Sequence, residues 1–213
     1  MNIFDINSPV MQKLSRLGDM ILLNLLTLLC SLPLITIGAA VSALYDAMEK
    51  HNKWEGTTVR NYFCAFRSNL RKGVVLWMIL LPIGLLCVFS LFWNTMNATD
   101  FGQILQAMAL LGFLVWSIVL TWTFPLQAKF ENTIARTLRN ACVLSIAHLF
   151  RSFVMTAMNF APWLLLWLAT ETFLRLTPLW LLGWFSVAVW VNLGLLKKPY
   201  MELLEDTQTP EGC

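Results

Sequence analysis

The chain has 213 residues, of which 58% are hydrophobic and only 13% charged, with 10 Trp and a mean hydropathy of +0.65. A soluble domain of this length carries about 25% charged residues and has too little interior to hide so much apolar surface, so the solvent for most of this chain is lipid. The net charge of +3 falls between apolar runs, which speaks for membrane topology and against nucleic acid as a partner.

A helix needs about 20 mostly apolar residues to cross the hydrocarbon core. Five runs meet that length or nearly so: 18–45, 73–93, 103–126, 152–170 and 177–196, followed by a short polar tail at 197–213. The expected fold is an all-α integral membrane protein, a single transmembrane domain of about five spans with two cytoplasmic amphipathic surface helices.

The first run is longer than a span requires and contains Pro33, which removes a backbone donor and predicts a kink, or a break into a span plus a shallower segment. A re-entrant hairpin here is the alternative to a full span. Lys13 and Arg16 ahead of the run, and Val41 to Ala43 beyond its core, resemble a signal peptide. The apolar core is too long for one, and basic residues follow it, so the run is expected to stay uncleaved. Asn24, Thr27 and Ser31 recur at helical spacing inside it as candidate polar intramembrane residues, with Asp19 near its start. Beyond Pro33, Gly38 and Ser42 form one small-xxx-small row and Ala39, Ala43 and Ala47 another. Small side chains let backbones approach, so this half should pack on a helix rather than on lipid.

In the connection to the second run, Val59, Tyr62, Phe63, Phe66 and Leu70 share one helical face, with Arg60, Arg67 and Arg71 along its edge. Between the second and third runs, Asn97-Ala-Thr is a formal glycosylation sequon, relevant only in a eukaryote. After the third run Pro125 should end the helix and turn the chain. Phe130, Ile134, Leu138 and Ala141 then form an apolar face opposite Lys129, Arg136 and Arg139, which predicts a second helix lying on the membrane surface. The bland reading of both amphipathic stretches is lipid anchoring, and the sharper one is docking of a cytoplasmic partner. The fourth run contains Asn159 and Pro162, with Arg151 at head-group level at its start; the fifth contains Asn192. A short echo between Leu70–Leu76 and Leu138–Leu144 raises the question of an internal repeat.

Lys and Arg crowd two connections, Lys50 to Lys72 and Lys129 to Arg151, and follow the fifth run at Lys197 and Lys198. Basic connections stay inside, which places these segments and the C-terminal end in the cytoplasm. Five spans then put the N-terminal end outside, against the pull of Lys13 and Arg16.

Catalytic patterns are missing from the sequence. The only histidines are His51 and His148, the five cysteines (Cys30, Cys64, Cys87, Cys142, Cys213) form no CxxC pair, and there is no phosphate loop, nucleophile elbow or HExxH. Neither an enzyme, a cofactor, a metal site nor a disulfide framework is expected.

Three stretches, Asn24 to Tyr45, Asn61 to Gly73 and Phe124 to Ala141, together resemble the YesL family of small bacterial membrane proteins. Family features are an Asn-initiated span leading to a Pro-x-x-Thr-x-Gly turn (Pro33, Thr36, Gly38), an aromatic Phe-x-x-Asn helix (Phe66, Asn69), and a Phe-Pro-Leu turn before an Arg-Asn pair (Arg139, Asn140). Leu70 stands where the family often has an aromatic. The resemblance implies a five-span protein of the bacterial inner membrane, of uncharacterised function, found beside carbohydrate-uptake ABC transporters. It supplies no catalytic or binding residues. The expected function is a non-catalytic accessory protein whose partners are the lipid bilayer and the permease or ATPase subunits of a sugar ABC importer. The alternative is a small transporter or channel, alone or as an oligomer.

Overall fold

Backbone in hydrocarbon must satisfy its own N–H and C=O groups, so apolar runs of this kind become helices. The computed structural model describes residues 9–53, 55–96 and 100–208, with side chains for 14–53, 55–93 and 102–203. The helices are α1 (Pro9–Ser31), α2 (Ile37–Asn52), α3 (Thr58–Met96), α4 (Asp100–Lys129), α5 (Ile134–Ala147), α6 (Leu149–Leu168), α7 (Thr170–Leu179) and α8 (Phe185–Gln208). A 3-10 turn, Leu34–Thr36, joins α1 to α2, and a π segment, Trp180–Trp184, joins α7 to α8. Five stretches are long and apolar enough to cross a membrane: Leu14–Ser31, Thr58–Trp93, Gly102–Lys129, Leu149–Leu168 and Thr170–Leu203. The protein is a helical, multi-pass membrane protein. The sequon at Asn97 and Cys213 lie outside the described residues.

Pro33 breaks the first run outright. The Thr36 hydroxyl closes the break by reaching the carbonyls of Cys30 (2.6 Å) and Pro33 (2.8 Å), while the Thr36 amide also donates to Pro33 (2.8 Å). The chain then reverses, and α2 returns along α1 until His51 Nδ1 stands 3.7 Å from Asp19. The small-residue rows do what their size allows: Ala39, Ala40, Ala43 and Ala47 are fully buried, and Gly38 of α2 abuts Gly73 of α3.

Because α2 returns along α1, the early turns of α1 lie at the same end of the bundle as the end of α8, where five successive spans alone would set them at opposite ends. Four pairs mark that end: Asp19 with His51, Glu49 with Lys129, His148 with Glu202, and Phe130 with Tyr200.

Other boundaries also move. The residues expected to form a separate surface helix before the second span are the first turns of α3, which runs unbroken for 39 residues. Arg and Lys are good helix formers, so the basic cluster marks a change of surroundings and not a helix end. At about 1.5 Å per residue α3 is about 58 Å long, against about 30 Å of hydrocarbon. Pro125 does not end its helix: it is buried inside α4, which continues to Lys129. Proline is tolerated in such helices where neighbours cover the disturbed turn. Lys129 therefore belongs to α4 and Phe130 to the connection, while the second amphipathic helix starts at Ile134, capped by the Thr133 side chain. Residues 171–176 are helical and join the last span, and the tail is helical to Gln208. Leu70–Leu76 lies mid-helix in α3 whereas Leu138–Leu144 belongs to a helix that stops at Ala147, so the echo does not correspond to equivalent elements.

The core is built where α1, α2, α3, α4, α6 and α8 meet, around Leu23, Leu44, Met48, Tyr62, Trp122 and Met155. Trp122 donates to Ser152 Oγ (2.8 Å), which in turn donates to the carbonyls of Ser145 and His148, fastening the α5–α6 corner to α4.

Candidate functional site

Two regions carry the predicted residues. At the basic end, the lower turns of α3 expose Arg60, Arg67 and Arg71 together with Val59, Phe63 and Leu70. The predicted apolar face is thus only partly an inward face: Tyr62 is buried and Phe66 half-buried, their rings stacked, while Ala65 and Asn69 supply the rest of the packing. On α5, Arg136 and Arg139 are exposed around a shallow recess shared with Glu131, Asn132 and Thr133. The inward residues are Thr137, Ala141, Leu144 and Ser145, so the buried stripe lies further round the helix than Phe130, Ile134 and Leu138 imply. Lys72 ties the two elements by donating to the Asn132 carbonyl (3.0 Å).

Lys129 is not part of this open surface, because it is ion-paired with Glu49 of α2, which Lys53 also contacts at 2.9 Å. Burial pushes the Glu49 carboxyl upward, but hydrogen bonds from Lys129 and Lys53 outweigh it and hold the group below its ordinary 4.5. A depressed carboxylate stabilises the fold fully above the unfolded value and loses that contribution as pH falls through the lower folded one. Wild type should therefore exceed Glu49→Gln in thermal stability at neutral pH, with the gap closing below about pH 4.5. A gap that stays constant through that range would show that the ion pairs do not hold α2 to α4.

The second region lies within the spans. Asn24 is fully buried; its amide nitrogen donates to the Leu181 carbonyl (2.5 Å) and its oxygen accepts from the Ser186 amide (3.2 Å). These two backbone groups are five residues apart, and the side chain inserted between them accounts for the π segment there. Nearby, Pro162 has no N–H to offer the Met158 carbonyl, and the Trp184 indole takes that place at 3.2 Å. Thr27 is buried and bonds back to Leu23 (2.8 Å), and Ser31 is half-buried at the end of α1. Thr27 and Ser31 share the wall of one cavity, and Asn24 is not part of that wall.

A different cluster forms instead. Asn192 donates to the Tyr45 hydroxyl (2.9 Å) and to Asn159 Oδ1 (3.1 Å), and Asn159 reaches Thr121 at 3.5 Å, while Asn192 Oδ1 is buried with no partner among the described residues. Sequence reading singled out the two Asn residues but not Tyr45 or Thr121, because neither departs from its apolar run by type or spacing. Among the described residues no group of three or more His, Cys, Asp or Glu could hold a metal.

Residues 20–91 match the family model described as Protein of unknown function, DUF624. This is the YesL-like family of small membrane proteins. The DUF624 match covers the second half of α1, the Pro33 turn, α2 and nearly all of α3, and so includes Asn24, Thr36, Gly38 and Gly73. The Phe124–Ala141 stretch, which also resembles the YesL family, lies beyond it. No curated protein and no solved structure matches the chain.

Proposed function

We propose that this YesL-like protein is a non-catalytic accessory protein of the bacterial inner membrane that docks subunits of an ABC-type sugar importer at its basic end. On this reading the basic end faces the cytoplasm, together with the early turns of α1 and the end of α8, as the positive-inside tendency favours. The observation that carries the docking reading is the continuity of α3. A helix that leaves the hydrocarbon without a break presents Arg60, Phe63, Arg67 and Arg71 on a rigid rod, whereas a lipid anchor needs only a helix lying flat. The sugar importer enters from the family resemblance.

The test is affinity purification in mild detergent from the native host, with mass spectrometry of what co-purifies. Wild type should recover permease or ATPase subunits of a sugar importer. Replacing Arg60, Arg67 and Arg71 with Glu should abolish that recovery while the protein still inserts and elutes as a single species. Equal recovery by the charge-reversed protein, or none by wild type, counts against docking. The buried Tyr45–Asn159–Asn192 cluster favours a second reading, a small transporter or channel, which measured solute flux in liposomes would support and its absence would oppose.

A further inference from the structure

A cavity of about 410 Å³ lies between the end of α1, α2, α4, α6 and α8. That is within the range of about 300–1,000 Å³ typical of small-molecule sites. Its walls are aromatic, with Trp116, Phe160, Trp163 and Trp184 contributing, and Trp163 is the most exposed of them at 62%. Trp163 lies within the Leu149–Leu168 span, so the mouth beside it opens toward hydrocarbon and not toward water. At the inner end the walls change character: Tyr45, Thr121 and Asn159 face the cavity, backed by Asn192 with its unpartnered oxygen.

We infer that this cavity binds a neutral lipophile bearing a hydroxyl, drawn from the bilayer, with its hydrocarbon body among the tryptophans and its hydroxyl at the Tyr45–Asn159–Thr121 end. The walls decide the class of ligand. Among the described residues no Asp, Glu, Lys, Arg or His lines the cavity, and a charged head buried there would have no counter-ion among them. A free sugar carries a hydroxyl on almost every carbon, and most of these would meet aromatic faces and methyl groups with no partner. One hydroxyl on an apolar body matches what is present: Tyr45, Thr121 and Asn159 group donors and acceptors together, the Thr27 hydroxyl on the wall is taken by the Leu23 carbonyl (2.8 Å), Ser31 adds one hydroxyl at the end of α1, and the rest is largely carbon. This inference is independent of the docking surface on α3 and α5.

The test uses the whole protein in lipid nanodiscs and a long-chain alcohol carrying a photoactivatable diazirine, with adducts located by peptide mass spectrometry. Adducts should concentrate on cavity residues such as Leu120 and Tyr45 and be displaced by the unlabelled alcohol. A matched diazirine hydrocarbon without the hydroxyl should label these positions far less. Leu120→Trp, which fills the cavity, should lower the labelling about tenfold, the scale on which pocket shape discriminates ligands. If that variant does not fold, competition on the wild-type protein decides alone. Adducts spread over the lipid-facing side chains of α3 and α6, cavity adducts that the alcohol does not displace, or equal labelling by the hydrocarbon would each overturn the inference.

Discussion

Gly38→Ala should lower the melting point and the folded yield sharply, whereas Gly194→Ala should be at least as stable as wild type. A Cβ at Gly38 would lie 2.3 Å from the Gly73 carbonyl oxygen and 2.8 Å from both Trp77 Cβ and Phe124 Cε1. The nearest of these is backbone, which cannot swing aside as a flexible side chain can. The contact is reciprocal, since a Cβ at Gly73 would lie 2.8 Å from Ala39 Cα. Relief requires α2 and α3 to separate along the seam of fully buried alanines. Overpacking alone costs about 1–3 kcal/mol or more, and loosening the seam adds to it, against a total stability of about 5–15 kcal/mol. Among the described residues, and apart from the backbone of its own helix, nothing stands within 4 Å of a Cβ placed at Gly194, so Ala there meets no clash and gains up to about 1 kcal/mol of helix propensity. The two variants share the same chemical change, and the fraction eluting folded and monodisperse in detergent compares them directly. Equal yields and melting points would mean that α2 and α3 do not approach as described.

Asn24→Leu should destabilise the protein by about 2–4 kcal/mol, because two buried backbone groups lose their partners together. Hydrogen bonds between membrane helices average only about 0.6 kcal/mol when either group can find another partner. Here the Leu181 carbonyl and the Ser186 amide are five residues apart in a widened turn, and the Asn24 side chain spans the gap between them. The loss should also have a local signature. Without Asn24 the π segment is free to relax to an α-helix, turning residues N-terminal to Ser186 about the helix axis and pulling Trp184 from the Met158 carbonyl. Amide hydrogen exchange at Ser186 should quicken more than at Asn192, farther along α8. Unchanged stability together with unchanged exchange at Ser186 would overturn the structural role assigned to Asn24.

The features most open to sequence reading were those governed by local chemistry. Pro33 announced a break, and the spacing of Gly38, Ser42, Ala39, Ala43 and Ala47 announced a helix that packs on a helix. The extent of α3 was harder to see, because its basic cluster looks like a boundary on a hydropathy profile while Arg60, Arg67 and Arg71 are themselves comfortable in a helix. Pro125 misled for the opposite reason: a helix-breaking residue was covered by neighbours from distant parts of the chain. The same distance hides the polar cluster, since Tyr45, Thr121, Asn159 and Asn192 come from four helices and no local period links them. Which end of the bundle holds the early turns of α1 depended on the course of 37–52. Residues 37–45 simply continue the first apolar run in the sequence, and only the packing of α2 reveals the return.

That returning helix has a consequence for biosynthesis. α2 ends in Asp46, Glu49, Lys50 and His51, is only 16 residues long and has four alanines among its apolar residues, so it gains little by partitioning into lipid unaided. Its shelter comes from α3 at Gly73 and from α4 at Phe124, and the latter residue is made 86 positions after Gly38. The nascent chain must therefore keep the hairpin waiting, held at the membrane or by the insertion machinery, until the ribosome has delivered α4.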